Sequence, residues 1–327
     1  MDKVELGRGG PKVSRVGLGC MGMSGMYGPA DRAESIATIH QALEAGITLL
    51  DTGDFYGMGH NEMLIGEALK GGRRDGAFIS VKFGAQRAPD QSWIGYDARP
   101  AAVKTALAYT LQRLGADHID LYRPARLDPA VPIEETIGAI AECVQAGWVR
   151  HVGLSEIGAE TLRKAHAVHP IADVQFEYSV MSRGIERSLL PAARELGVSI
   201  TAYGILSRGL ISGSKPGSLQ QGDFRGFLPR FSGDNLAANQ KLINALAEVA
   251  TAKGATVSQL AIAWVLARGP DVVPLIGARK RSQLTESLGA LALSLTPEDL
   301  AAIEAAVPPE AVAGERYAAP QMAHLEK

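Results

Sequence analysis

Cysteine is scarce in this sequence. Its 327 residues include two cysteines, Cys20 and Cys143, and neither belongs to a C-x-x-C motif or to a cluster with histidine. A disulfide framework needs paired cysteines, and a structural zinc site needs several Cys or His ligands close together. The sequence therefore indicates neither a disulfide framework nor a metal site, and it suits the reducing cytoplasm, where we expect the protein to be located.

Long apolar runs and an excess of one charge are absent as well. The N-terminal MDKVELGRGG lacks the apolar centre of a signal peptide, and no run approaches the roughly 18 residues that cross a bilayer. A formal net charge of −2 provides no basic surface for nucleic acid or anionic lipid. We therefore expect no membrane and no nucleic acid partner. The 46 % hydrophobic and 21 % charged residues are typical of a globular protein.

What the sequence does contain is an alternation of short β-branched segments with longer segments of helical period. Eight segments have the composition of buried strands. They are VSRVGLG (13–19), ITLLDT (47–52), AFISVKF (77–83), HIDLY (118–122), VRHVGLS (149–155), ADVQFEY (172–178), VSITAYG (198–204) and VVPLIG (272–277). Strands that are apolar on both faces, each followed by a helix, favour a parallel sheet with covered faces, and eight such units predict a closed (β/α)8 TIM barrel.

The helices between these strands carry recognisable start signals. Asp31 and Glu34 form a capping-box pattern, and a last helix has Thr296 as its N-cap and Pro297 at its first position. The other helices are predicted to begin near Asn61, Pro100, Ile133, Ala159, Ile185, Asn235 and Val257. An open doubly wound fold is the alternative, with a G-x-G-x-x-G turn after its first strand, but here the helix follows GLGCMGMSG too late for that turn. We therefore predict one barrel domain over residues 1–327, with about 308–327 as a C-terminal tail.

One segment interrupts the alternation. Residues 207–233, between the seventh strand and its helix, are rich in Gly, Ser and Pro. A loop of this length in a compact domain is usually a lid, a binding loop or disordered. Its aromatic and basic residues favour closure over an anionic ligand; they are Phe224, Arg225, Phe227, Arg230 and Phe231.

The strand ends carry the candidate chemistry, because reactive groups of this barrel type lie at the C-terminal ends of the strands. The second strand leads into DTGDFYG, with Asp51 and Tyr56, and the third ends at Lys82. A buried lysine needs a partner, and Asp51 on the adjacent strand is the obvious one. Taken alone, the Asp51–Lys82 pair is also consistent with a purely structural role. With Tyr56 nearby, the ammonium is expected to lower the pKa of the phenol toward the range of a general acid.

A series of motifs runs along the chain from about residue 4 to residue 306. It comprises LLDTGDFYG, NEMLIGEAL, ISVKFG, DLY, VRHVGLSE, ADVQFEYS, AYGILSRGL, DFRGFLPRF and PLIGARKRSQLTESLGAL. In this order and at these intervals the motifs resemble those of the aldo-keto reductases, which are nicotinamide-dependent barrel enzymes. The resemblance implies NADPH-dependent reduction of an aldehyde or ketone to the alcohol, without a metal or flavin.

The resemblance also implies roles for the matching residues of the reaction centre. Tyr56 is expected to be the proton donor and Lys82 the residue that adjusts its pKa. Asp51 is expected to orient the lysine and to lie beside the cofactor. In the family a histidine completes this set, in motifs of the type D-L-Y-x-x-H-R. Here the stretch DLYRPAR has Ala125 in place of that histidine.

The implied cofactor contacts extend across the whole face of the barrel. Ser155 and Gln175 are expected to bind the nicotinamide carboxamide, and Tyr203 to stack on the ring. The remaining contacts are Gly204, Leu206, Ser207 and Gly209 along the pyrophosphate, Gly277, Arg279, Gln283, Glu286 and Ser287 toward the adenosine, and Cys20 and Met21 at the end of the first strand.

Three consecutive cations bear on the choice of cofactor. Arg279, Lys280 and Arg281 lie at a predicted helix start, where positive charge opposes the helix dipole. Cations in this place are better explained by an anion that docks there. We therefore favour NADPH, through its 2′-phosphate, over NADH.

The missing histidine leaves three outcomes open. A lost donor to the substrate oxygen costs on the order of 2–4 kcal/mol of transition-state stabilisation, which predicts a slower reductase relying on Tyr56. Alternatively, the vacated space admits a bulkier ketone, with Arg123, Arg126 or His60 as the donor. The third outcome is a nicotinamide-binding sensor or regulatory subunit with little turnover. Retention of the other three residues favours an enzyme.

The substrate itself is not specified by the sequence beyond a small-molecule carbonyl compound. The residues expected to surround it are Tyr27, Trp93, Tyr96, Arg123, Ala125 and Arg126. The oligomeric state is likewise left open, a homo-oligomer included.

Overall fold

A closed barrel of eight parallel strands forms the centre of the protein. The computed structural model describes residues 1–90, 92–212, 223–323 and 325–326. Its strands are β1 Lys3–Glu5, β2 Lys12–Ser14, β3 Gly17–Gly19, β4 Leu49–Gly53, β5 Phe78–Phe83, β6 Ala85–Arg87, β7 Trp93–Tyr96, β8 Ile119–Pro124, β9 Val149–Ser155, β10 Ile171–Glu177, β11 Ser199–Tyr203 and β12 Val272–Gly277. The barrel order is β3, β4, β5, β8, β9, β10, β11 and β12, which pairs again with β3. The predicted (β/α)8 barrel is thus confirmed.

Helices surround the barrel. They are α1 Arg32–Glu44, α2 His60–Ala68, α3 Pro100–Leu114, α4 Ile133–Gln145, α5 Ala159–Val168, α6 Leu189–Leu196, α7 Gly233–Ala252, α8 Val257–Leu266, α9 Arg281–Leu288, α10 Pro297–Ala306 and α11 Ala319–Met322. No single helix in the described ranges is long and apolar enough to cross a bilayer, although α7 and α8, which meet at 85°, reach that length as a bent pair.

The local signals explain where several helices begin. Asp31 caps α1 by accepting a 2.7 Å hydrogen bond from the Glu34 amide, and Thr296 caps α10. The prediction for α6 was wrong: a 3₁₀ turn occupies Gly184–Arg187 and the helix begins only at Leu189. A 3₁₀ turn has 3.0 residues per turn and an α-helix 3.6, and a segment of four residues is too short for its apolar pattern to distinguish the two.

The first predicted strand, 13–19, was also wrong in part, because it combines two strands of different sheets. Its first residues form β2, which pairs antiparallel with β1, and only β3 enters the barrel. The β1–β2 hairpin closes the N-terminal end of the barrel. There Leu6 and Val13 pack against strand residues Leu49, Phe78, Leu121, Val273 and Leu275.

Above this apolar layer the barrel interior becomes polar. Because side chains alternate along a strand, residues two positions further on face the same interior. The next inward positions are Asp51, Ser80, Arg123, Asp173 and Thr201, followed by Lys82, Ala125, Gln175 and Tyr203. The sequence pattern therefore places a charged layer directly beneath the upper, C-terminal opening.

Arg123 and Asp173 form a fully buried ion pair in this layer. A guanidinium nitrogen of Arg123 lies 3.0 Å from Asp173 Oδ2 and donates to Ser80 Oγ at 2.7 Å. Gly153 makes room for the carboxylate, since a Cβ there would come within 2.5 Å of Asp173 Oδ1. Among the described residues, Arg123 Nε and Nη1 and Asp173 Oδ1 find no hydrogen-bond partner. Removing both charges from water is costly, and the attraction between Arg123 and Asp173 is the main interaction that offsets this cost.

We expect Arg123→Met to destabilise the protein by about 3–5 kcal/mol, because it leaves a buried carboxylate without its counter-charge. The double variant Arg123→Met/Asp173→Leu removes both charges and is expected to recover most of that loss. Urea unfolding of the three proteins measures the difference. Equal destabilisation in the single and double variants would show that packing, and not charge pairing, dominates at this position.

Candidate active site

A cavity of about 480 Å³ opens at the C-terminal ends of the barrel strands. Its floor contains Asp51, Tyr56 and Lys82, the three predicted reactive residues. The other predicted residues on its wall are Met21, Tyr27, Trp93, Tyr96, Ala125, Arg126, Ser155, Gln175, Tyr203, Gly204, Leu206, Gly209, Gly277, Arg279 and Gln283. The barrel topology thus brings predicted residues as far apart in the chain as Met21 and Gln283 to one cavity.

Asp51 is the centre of a hydrogen-bonded group on the cavity floor. Lys82 Nζ lies 2.5 Å from Asp51 Oδ1, and both side chains are about 5 % exposed. The second carboxylate oxygen accepts from Gln175 Nε2 at 2.6 Å and from Ser80 Oγ at 3.2 Å. Three donors therefore hold the carboxylate rigidly, and the carboxylate in turn fixes the ammonium.

Tyr56 lies beside this group because of the turn that follows β4. Its amide donates to the Gly53 carbonyl at 3.0 Å, which bends the chain back over the strand end. Lys82 Nζ is 5.1 Å from the centroid of the phenol ring, and Phe55 packs edge-on against that ring at 4.7 Å. The phenol is consequently buried against one cation and one aromatic wall.

Burial sets the protonation state of the phenol. Burial and the Asp51 carboxylate raise the pKa of Tyr56 well above its usual value, with Arg126 opposing them. The prediction that Lys82 lowers the pKa of Tyr56 is therefore wrong. Burial likewise lowers the pKa of Lys82, although Asp51 opposes the effect. Tyr56 accordingly keeps its proton at neutral pH, which is the state that a proton donor needs.

Tyr203 is held in place from two sides. Its hydroxyl donates to Glu156 Oε1 at 2.7 Å and shares a 2.7 Å hydrogen bond with the hydroxyl of Tyr317. Arg316 forms a bidentate pair with Glu156, at 2.9 and 2.7 Å. Although burial alone would raise it, the positive charges of Arg316 and Arg126 lower the pKa of Glu156 to about 2. The carboxylate is thus always ionised and keeps the tyrosine ring fixed.

An ion-pair cluster joins the loop after β11 to the C-terminal tail. We define it as Glu156, Glu177, Arg208, Arg230 and Arg316. Glu177, itself 2 % exposed, lies 2.6 Å from Arg208, 3.5 Å from Arg230 and 3.7 Å from Arg316. Arg208 also donates to the Arg316 carbonyl at 2.8 Å. Segments that are distant in the sequence are therefore fastened to one buried carboxylate.

The cluster also supports an unfavourable backbone. Glu156, Ser207 and Arg208 have φ of 54°, 47° and 56°, a region that residues other than glycine seldom adopt. Each such residue costs of order 1–3 kcal/mol and persists only where its surroundings hold it. Two of the three belong to the ion-pair cluster, and the third precedes Arg208 directly. The strained stretch is the part of the loop expected to follow the cofactor pyrophosphate.

At the opposite end of the cavity, Arg279 holds the segment 27–29. Its Nη1 donates to the carbonyls of Tyr27 at 2.8 Å and Pro29 at 3.2 Å. Its amide donates to Gln283 Oε1 at 3.1 Å. Of the three cations noted in the sequence, Arg281 pairs instead with Glu34, at 3.0 Å, and does not face the cavity. Lys280 is exposed and does not line the cavity either, so the anion-binding argument narrows to Arg279.

Several predicted contacts do not reach the cavity wall. Cys20 is fully buried beneath the strand end, and Arg123 is occupied by Asp173. Ser207 and Ser287 are buried away from the opening, whereas Glu286 is exposed on α9. His60 is exposed and its Nδ1 lies 3.0 Å from Ser24 Oγ, away from the cavity. These residues match the family motifs in sequence, but in the structure they do not line the cavity.

The C-terminal tail supplies residues that the sequence pattern did not reveal. Tyr317, Gln321 and Leu325 line the cavity, as do Arg208 and Arg225 from the loop after β11. The tail has neither strand nor helix period before α11, so no local signal points to it. Arg316 and Tyr317 can be recognised as site residues only when their partners in the fold are known.

Residues 213–222 of the predicted loop, and the side chain of Phe224, lie outside the described part of the chain.

The barrel fold and the residues on the cavity floor together define an oxidoreductase site. A buried lysine–carboxylate pair and a protonated phenol lie beneath a long cavity. Residues 15–308 match the model of the aldo/keto reductase family. Over 293 residues the chain is 39 % identical to the aldo-keto reductase yakc, named with NADP(+), of Schizosaccharomyces pombe, covering 88 % of this chain and 86 % of the relative.

Solved structures agree with this assignment. A glycerol dehydrogenase from Gluconobacter oxydans has a TM-score of 0.83 at 30 % identity, covering 94 % of this chain and 96 % of its own. An aldo-keto reductase from Bacillus halodurans has a TM-score of 0.78 at 30 % identity, covering 94 % and 97 %. The chain belongs to the aldo/keto reductase family and is an oxidoreductase that acts on carbonyl groups.

We expect Arg316→Met to loosen two distant segments at once. Glu156 and Glu177 both lose a counter-charge, so the backbone amides of residues 206–211 and of 312–323 should exchange hydrogen faster. Hydrogen-exchange mass spectrometry measures both segments. The neighbouring exposed Glu315→Gln variant is the control. Faster exchange in the tail alone would contradict the coupling through Glu177.

Proposed function

We propose that the protein reduces an aldehyde or ketone to the alcohol with NADPH, and that Tyr56 supplies the proton. The observation that carries this proposal is the protonated Tyr56 beside the Lys82–Asp51 pair on the cavity floor. Desolvated, preorganised groups of this kind act most strongly where charge develops in the transition state. A protein that only bound a nucleotide would have no use for such a buried phenol.

The residues of the cavity fit a nicotinamide dinucleotide. Ser155 Oγ is buried on the cavity wall and has no hydrogen-bond partner among the described residues, as expected for a group that waits for a carboxamide. No atom lies within 4 Å of the position of a Cβ at Gly277, so the backbone there is open to a ligand. The yeast relative is named with NADP(+), which supports the phosphorylated cofactor.

When bound, NADPH would supply hydride to the carbonyl carbon. Tyr56 would hydrogen-bond the carbonyl oxygen and transfer its proton as the alkoxide forms. The ammonium of Lys82 then stabilises the phenolate, and Asp51 keeps the ammonium in place. Tyr56 itself is 5 % exposed, with the half-buried Phe55 edge-on against its ring, so bulk water has little access to the phenol.

The place of the missing histidine is lined by Ala125, which is 1 % exposed. Of the donors considered for it, Arg123 is neutralised by Asp173 and His60 faces Ser24, whereas Arg126 lines the cavity. The version we favour is therefore a reaction that relies on Tyr56 as the proton donor, with Arg126 in reach of another part of the substrate. The sensor alternative rests on Ala125 alone.

We expect Tyr56→Phe to lower kcat by about 10²–10⁴-fold, the usual contribution of a positioned general acid. The phenyl ring keeps the packing against Phe55, so NADPH affinity should change little. NADPH oxidation with a panel of aldehydes and ketones gives kcat, and fluorescence titration gives the dissociation constant.

Ala125→His separates the reductase from the sensor within the same experiment. A reductase should gain turnover from the restored donor, while Ala125→Leu, an apolar control of similar size, should not. Tight NADPH binding without turnover in the native chain and in every variant would support the sensor instead.

Arg279→Ala is expected to weaken NADPH binding by about 10–100-fold, because hydrogen bonds to charged groups contribute about 1.5–3 kcal/mol. NADH, which lacks the 2′-phosphate, should lose little. Arg281→Ala is the matched control, since its guanidinium is paired with Glu34. Equal losses for NADPH and NADH in Arg279→Ala would remove the proposed phosphate contact.

A further inference from the structure

Most arginines around the cavity are neutralised by a carboxylate. Arg208 pairs with Glu177 at 2.6 Å and Arg225 pairs with Asp223 at 2.7 Å. Just behind the wall, Arg316 pairs with Glu156 at 2.7 Å. These cations are part of the scaffold, because their charge is already satisfied within the protein.

Arg126 is the exception at the reaction end of the cavity. Its Nη1 donates to the Ala125 carbonyl at 2.6 Å and its Nη2 to the Tyr317 hydroxyl at 3.1 Å, so both acceptors are neutral. The guanidinium is half-buried and forms no ion pair with any residue that the structure describes. Glu156, whose charge acts on Arg126 through space, is already bound in bidentate fashion by Arg316.

The rest of the chain offers no side-chain carboxylate to complete the pair. The residues outside the described ranges are Gln91, 213–222, His324 and Lys327, and none of them is aspartate or glutamate. A guanidinium withdrawn from water without a counter-charge is costly. Such a residue in a binding cavity is best explained by an anion that a ligand brings.

The position of Arg126 indicates which ligand. It lines the same cavity as Tyr56 and Lys82, and it follows Ala125 directly. Arg279, which likewise forms no ion pair with a described residue, lies at the cofactor's adenosine end, where a phosphate is expected. The two cations therefore belong to different ligands.

We infer that the substrate carries a carboxylate, and that Arg126 binds it. The inference rests on the proposed carbonyl reduction at Tyr56. A guanidinium matches a carboxylate through two parallel hydrogen bonds, and the small Ala125 leaves space for the group beside the reacting carbon. The phenol of Tyr317, which contacts Arg126, and the half-buried Tyr96 form an aromatic surround. The substrate class is thus an aldehyde or ketone acid.

Free acids and their methyl esters test this assignment, because they differ in charge while retaining the carbonyl group. Pyruvate represents a carboxylate next to the carbonyl, 4-oxobutanoate one that is two carbons further away, and 4-carboxybenzaldehyde a rigid aromatic spacing. For at least one pair, the native chain should show a higher kcat/KM for the acid. In Arg126→Met the acid-to-ester ratio should fall at least tenfold, with partial recovery in Arg126→Lys.

Two results would overturn the assignment. Unchanged kcat/KM values for both acid and ester in Arg126→Met would show that Arg126 does not bind the carboxylate. An equal loss for acid and ester would show that Arg126 acts on the carbonyl oxygen in place of the histidine. Arg279→Ala, assayed at saturating NADPH, is the control, because it should alter cofactor affinity while leaving the ratio unchanged.

A binding measurement separates failure of this inference from failure of the proposed reaction. Benzoate and benzamide are titrated against the NADP(+) complex, with the fluorescence of Trp93 on the cavity wall as the signal. Benzoate should bind at least tenfold more tightly than benzamide, and Arg126→Met should remove the difference. If this holds while no carbonyl is turned over, the anion site stands and the reductase proposal fails. Equal binding of the two ligands would overturn the anion site itself.

Discussion

The contact between Lys82 and Asp51 is the interaction on which the rest of the site depends. Two opposite charges lie 2.5 Å apart inside a barrel, and neither would be stable there alone. The carboxylate is satisfied by Gln175 and Ser80, and Ser80 is in turn bonded to Arg123. The polar layer is therefore a connected network that begins at the deepest ion pair and ends at the cavity floor.

This network explains why the reactive phenol needs no further polar partner to be useful. Tyr56 is buried against the network and stays protonated, while the ammonium next to it is fixed by a carboxylate that cannot move. Preorganisation of this kind lowers the reorganisation that the transition state would otherwise require. In the proposed reaction, stability and catalysis would thus depend on the same buried charges.

The second constraint is the closing of the cavity by segments outside the barrel. The ion-pair cluster fastens the loop after β11 and the C-terminal tail to Glu177, and it holds Tyr203 through Glu156. Because Arg208 belongs to the cluster and Ser207 precedes it, loosening the cluster would affect the strained backbone that we propose follows the cofactor. Against this background Arg126 is unusual, since it lines the cavity and forms no ion pair with a described residue, which is why we infer that a ligand brings its counter-charge.

Much of this protein follows from the sequence alone. Period and composition predicted the barrel and most of its strands, because a buried parallel strand needs a continuous apolar segment whatever its neighbours are. Motif spacing predicted Asp51, Tyr56 and Lys82 and the substitution at Ala125. Only the tertiary structure decided which side chains face the cavity: Arg123 turns to Asp173 while Arg126 lines the opening. The tail was also unpredictable, since the roles of Arg316 and Tyr317 come from partners about 115 to 190 residues away, and such long-range electrostatic pairing leaves no local pattern.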